Sequence, residues 1–143
     1  MTPALPTPAE VDAFLAREFP SAHASGVGCV ELTATYAVAR WRYDPTTLRP
    51  GALISGPTQF AIADTALWFM TFAVLGLAPM AVTSSLAIDF LRPAAGGDLL
   101  ARADLLRAGR TKITGAVRLW VDGAPERLVA HAVGTYMRIG AAG

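Results

Sequence analysis

Among the 143 residues there is one cysteine, Cys29, and there are two histidines, His23 and His131. One thiol cannot close an internal disulfide, and these three residues have no zinc-ligand spacing, so neither a disulfide framework nor a metal site is expected. Charge is scarce too: 16% of the residues are Asp, Glu, Lys or Arg, and twelve basic against eleven acidic residues leave a net charge of +1. The basic residues are spread along the chain instead of clustering, so no nucleic-acid partner is expected. Residues 1–8 are rich in proline and lack the basic start and apolar run of a secretory signal. They read as a loose lead-in, and a cytoplasmic protein is expected. What the chain has in abundance is apolar side chains, 53% of the total, and its length suits a single domain over 1–143 with a real core.

Most of the apolar excess lies between Phe60 and Leu77, long enough to raise the question of a membrane span. Asp64 falls inside it, and an aspartate at mid-bilayer costs about 3 kcal/mol. No Lys or Arg flanks the stretch closely, so a helix buried by protein is expected and no membrane partner. Its entry is Ser55-Gly56-Pro57, with Pro57 suited to the first helical position and Gly56 or Ser55 to the cap, and Gly76 stands where a left-handed residue would end it.

Before it, Pro8 to Phe19 has helical spacing of Val11, Phe14, Leu15 and Phe19, and Val27 to Tyr43 alternates as one long strand. After it, Met80–Leu91, Leu99–Arg107, Lys112–Val121 and Arg127–Ile139 read as four strands. The segments between them are turn chemistry, so neighbouring strands should be antiparallel. An antiparallel sheet wrapped around the long helix, an α+β layout, is the simplest packing.

In that order, three stretches resemble the hotdog superfamily, in particular thioesterases of the phenylacetate-pathway type. They are Gly56 to Asp64 with Thr65-Ala66, Thr83 to Ala94 (TSSLAIDFLRPA), and Gly109-Arg110. The resemblance covers nearly the whole chain and implies hydrolysis of an acyl-coenzyme A to free acid and coenzyme A. It implies that Asp64 is nucleophile or general base, that the Gly56 N–H polarises the thioester carbonyl, and that Thr83, with Ser84 or Ser85 able to substitute, faces the acid. No cofactor is implied beyond the coenzyme A of the substrate.

Physical reasoning agrees with the pairing of Gly56 and Asp64, because thioester hydrolysis builds negative charge on the carbonyl oxygen and a helix N-terminus offers an unpaired donor. Eight residues along one helix separate the two by about 12 Å, however. Gly56 of one chain must therefore meet Asp64 of another, which predicts a homodimer, or a dimer of dimers, with sites shared across a two-fold axis.

Trp68, one turn beyond Asp64, is placed to pack on an acyl or aryl group. Arg92 and Arg110, with Lys112 and Arg138, are candidates for the coenzyme phosphates. The chain departs from many relatives in carrying Ser55 where they have histidine, Pro57 where they have a second glycine, and Arg49 where they have an amide. Ser55 remains a candidate to touch substrate. The lost histidine also leaves open a second reading, a hotdog module that binds acyl-coenzyme A without cleaving it.

Overall fold

A computed structural model describes residues 4–77 and 80–140. The first helix, α1 (Pro8–Glu18), opens on a capping box: the Thr7 hydroxyl accepts from the Glu10 N–H (3.1 Å) and the Glu10 carboxylate from the Thr7 N–H (3.0 Å). It buries Val11, Phe14 and Leu15, and Asp12 accepts the Cys29 N–H at 2.7 Å, which ties α1 to the first strand. Cys29 lies inside this contact. Burial first, and the Asp12 charge second, push its thiol up to about 12, so it is a packing residue and not a nucleophile.

A short helix α2 (Pro20–Ala24) follows. The expected long strand over Val27–Tyr43 is in fact a hairpin, β1 (Val27–Leu32) and β2 (Tyr36–Trp41). The break is local chemistry that alternation cannot reveal. The Thr33 hydroxyl accepts from the N–H groups of Thr35 (3.2 Å) and Tyr36 (3.1 Å), turning the chain while the polar–apolar period continues on both sides.

The central helix α3 spans Gly56–Leu75, with Ser55 as its cap: the Ser55 hydroxyl accepts the Thr58 N–H at 3.2 Å. Gly76 ends it at φ 73°, as the sequence suggests. This helix is long and apolar enough to cross a membrane by length and composition, but here nine of its residues are buried in the protein core.

The remaining strands are β3 (Ala81–Phe90), β4 (Leu99–Ala108), β5 (Lys112–Val121) and β6 (Ala130–Arg138). The six form one antiparallel sheet in the order β1-β2-β4-β5-β6-β3. The expectation that each short connection joins neighbours fails once, because β3 pairs with β6 and not with β4. Residues 91–98 cross the ends of β6 and β5 to reach β4. Three inter-strand steps of about 4.8 Å are well within reach of eight residues.

The concave face of the sheet lies on α3. Gly115 and Gly134 sit directly opposite each other on β5 and β6, and together they make the floor on which the helix rests. A Cβ at Gly134 would come within 2.5 Å of Leu67 Cδ1, and one at Gly115 within 2.6 Å of Met70 Sδ. The stripe of α3 facing away from the sheet carries exposed Phe60 and half-buried Asp64, Thr65 and Trp68. Gly134→Ala should lower unfolding free energy by about 1–3 kcal/mol through overpacking, seen as a lower urea midpoint with an unchanged slope.

Candidate active site

Asp64 is the one acid of α3, and the sheet supplies it with partners. Pairing of β3 with β6 sets Thr83 opposite Tyr136, and both hydroxyls turn toward the helix. Thr83 Oγ1 donates to Asp64 Oδ1 at 2.7 Å, and Tyr136 Oη donates to the same Oδ1 at 2.8 Å and to the Asp64 carbonyl at 3.0 Å. The other carboxylate oxygen, Oδ2, has no hydrogen-bond partner among the described residues. No cation lies within ion-pair distance of it among those residues.

A cavity of about 270 Å³ opens beside the carboxylate, lined by Asp64, Thr65, Trp68, Thr83, Tyr136 and Phe19 among others. Trp68 forms its aromatic wall, braced edge-on by Phe72 (centroids 5.3 Å apart) and Phe19 (6.3 Å). The sequence places Asp64, Thr83 and Trp68 as site residues, and the structure brings all three together.

Tyr136 was not legible as a site residue. On the sequence it is one more aromatic in a strand, and only the β3–β6 register reveals that it reaches Asp64. Burial, and next the Asp64 charge, raise its hydroxyl well above the ordinary tyrosine value, so it stays a donor.

Other candidates lie elsewhere in the protomer. Ser84 is the extra residue of an irregularity between Thr83 and Ser85; it is exposed and does not line the Asp64 cavity. Gly56 lies in a second cavity of about 410 Å³, with Arg92, Arg49, Gln59 and Phe90. Its N–H has no acceptor among the described residues. The Ser55 hydroxyl is occupied by the cap and by the Thr58 hydroxyl at 3.0 Å.

Arg92 donates to the Leu128 carbonyl at 2.9 Å. Arg110 is exposed in the β4–β5 turn beside Gly109, with exposed Arg107 and Lys112 on the flanking strand ends and half-buried Arg138 at the end of β6, donating to the Gly109 carbonyl at 3.4 Å. None of these four forms an ion pair among the described residues. Because Ile113 pairs with Tyr136, this basic turn is at the Asp64 end of the sheet, whereas Arg92 is at the Gly56 end.

The family model of the thioesterase superfamily matches residues 51–126, more than half of the chain and the stretch that carries Gly56, Asp64 and Thr83. The chain belongs to the thioesterase superfamily. Among solved structures, a Silicibacter protein described as a candidate thioesterase is 32% identical over 92% of this chain and 90% of its own, with a TM-score of 0.81. A mutant of the phenylacetic acid degradation protein PaaI of Thermus thermophilus is 27% identical over 84% and 99%, at TM-score 0.71. The PaaI protein of Escherichia coli, at 24% identity over 92% and 93% and TM-score 0.78, shares the fold. No curated protein sequence matches the chain.

The protein is thus a hotdog-fold thioester hydrolase. In this thioesterase the raised Tyr136 value has a stability consequence. Above about pH 10 the unfolded tyrosine loses its proton while the folded one keeps it, so stability is intact below that pH and declines above it. Urea titrations between about pH 9 and about pH 11 should show wild type losing up to about 1.4 kcal/mol per pH unit more than Tyr136→Phe. Parallel curves would contradict a hydroxyl kept protonated by burial and the Asp64 charge.

Proposed function

We propose that this thioesterase hydrolyses an acyl-coenzyme A, with Asp64 of one protomer as the reacting carboxylate and the Gly56 N–H of a second protomer as the donor to the thioester oxygen. The observation that carries the reading is the asymmetry of the Asp64 carboxylate. Oδ1 is held by Thr83 and Tyr136, and Oδ2 is left without a partner in a residue that lines a cavity. Two hydroxyl donors hold the carboxylate in one rotamer, so its second oxygen is aimed without needing to reorganise.

Two balanced routes are open to Oδ2. As nucleophile it adds to the thioester carbon; collapse expels the coenzyme thiolate and leaves an aspartyl anhydride, which water then hydrolyses to free acid and Asp64. As general base it takes a proton from water while the hydroxyl adds to the same carbon and the thiolate leaves, which that proton then neutralises. A single turnover in ¹⁸O-water tests for the nucleophile: label left in the Asp64 carboxylate, from water adding to the aspartyl carbon of the anhydride, arises on that route alone. In both, the developing oxyanion needs a fixed N–H donor.

A second protomer supplies that donor for a geometric reason. Gly56 and Asp64 line different cavities, about 12 Å apart along the helix axis. Three features favour association along this side: β3 is an edge strand, the stripe of α3 beside it faces away from the sheet, and Phe60 (41% exposed), Val82 (40%) and Phe90 (52%) stand in water. We read the assembly as a homodimer, or a pair of dimers, working in the cytoplasm.

Trp68 would line the acyl site, which suits a medium-sized or aryl group, and the basic turn at Arg110 would receive the nucleotide phosphates. Ser55 acts through the cap, and Arg92 and Ser84 are placed to touch substrate only where the partner closes the groove.

Thiol release from a panel of acyl-coenzyme A esters tests the reading. Asp64→Asn should lower kcat by at least about 100-fold while leaving the fold intact, and undiminished turnover would remove Asp64 from the chemistry. Arg110→Glu should raise KM for coenzyme A esters and leave KM for a short pantetheine thioester unchanged, as measured by steady-state kinetics. Tight substrate binding with no turnover would favour the non-catalytic module.

A further inference from the structure

Gln59 carries the only side-chain amide in the chain, and at 4% exposure it is buried at the first turn of α3. Its backbone N–H donates to the Ser55 carbonyl at 3.1 Å, and its side-chain Nε2 donates to the Ile54 carbonyl, also at 3.1 Å. The amide can face only one way, because a carbonyl accepts and never donates. Its oxygen Oε1 is consequently sealed in protein with no partner among the described residues. Ile54 is held from its other side as well, its N–H donating to the Ala94 carbonyl at 2.8 Å.

A planar trans peptide couples each carbonyl to the N–H of the next residue. Holding the Ser55 carbonyl therefore sets the direction of the Gly56 N–H, and holding the Ile54 carbonyl sets the Ser55 peptide that precedes it. The bond to the Ser55 carbonyl comes from a backbone N–H that any residue here would supply; the amide side chain adds the bond to Ile54, so that both peptides flanking Ser55 are held. A methionine of similar length would fill the same space and remove the stranded Oε1, losing only the bond to the Ile54 carbonyl, so packing alone gives no reason for an amide here.

We propose that Gln59 is a positioning residue for hydrolysis: its Nε2 bond to Ile54 aims the Gly56 N–H at the thioester oxygen. The proposal rests on Gly56 being the oxyanion donor. Gln59 borders the Gly56 cavity but is only 4% exposed. It acts through the backbone of the helix entry, which explains how a chain with Ser55 in place of the family histidine keeps its donor in line.

The test is Gln59→Met in the full chain. The expected result is a kcat lower by about 10- to 100-fold, with KM changed by less than about twofold and a Tm close to that of wild type. A crystal structure of the variant should show the Ile54 carbonyl turned from its present direction. A kcat within about twofold of wild type overturns the proposal, as does a loss of activity matched by a loss of Tm. Failure of the function itself looks different: wild type would then hydrolyse no ester of the panel. In that case the crystal structure decides alone, an unmoved Ile54–Gly56 backbone refuting the clamp and a rotated one supporting it.

Discussion

A carboxylate in the middle of an apolar helix has to be stabilised by something, and here it is two hydroxyls from the sheet that meet one of its oxygens. A charge wholly buried without a partner would cost several kcal/mol; Asp64 is half-buried, and Thr83 and Tyr136 meet it at Oδ1 alone. The result is an anion that is fixed in place yet still has a lone oxygen to offer, which is the condition a nucleophile or a general base must meet.

The fold is arranged around bringing those hydroxyls close. Edge strand β3 pairs with β6, far from its sequence neighbour β4, and so places Thr83 beside Tyr136. The facing glycines Gly115 and Gly134 leave room for Met70 and Leu67 of α3 where an added Cβ would force them to shift. Trp68, braced by Phe72 and Phe19, then closes one wall of the cavity. Packing and chemistry are thus one problem: the approach that fills the core is the approach that makes the hydrogen bonds.

Much of this could be read from residues in order. The bounds of α3 follow from Ser55, Pro57 and Gly76, whose effects are local, and the four later strands follow from alternation between turn residues. Asp64 stands out because an acid in that helix demands a reason. What could not be read depends on distance in space. The Thr33 turn is hidden because the alternation survives it, and the β3–β6 pairing is hidden because a crossing loop looks like a hairpin loop. Tyr136 and Gln59 are ordinary by composition and become informative only through partners 72 and 5 residues away.

In one protomer the acid and the helix-entry donor occupy separate cavities, so the account stands or falls on two chains sharing a site. Subunit mixing tests this most directly. Gly56→Pro removes the donor N–H at a helical position that tolerates proline, and Asp64→Asn removes the acid. Each variant alone should be inactive, and an equal mixture refolded together should recover about a quarter of wild-type activity, because half the dimers are mixed and each has one intact site. A mixture as inactive as its parts would contradict the shared site.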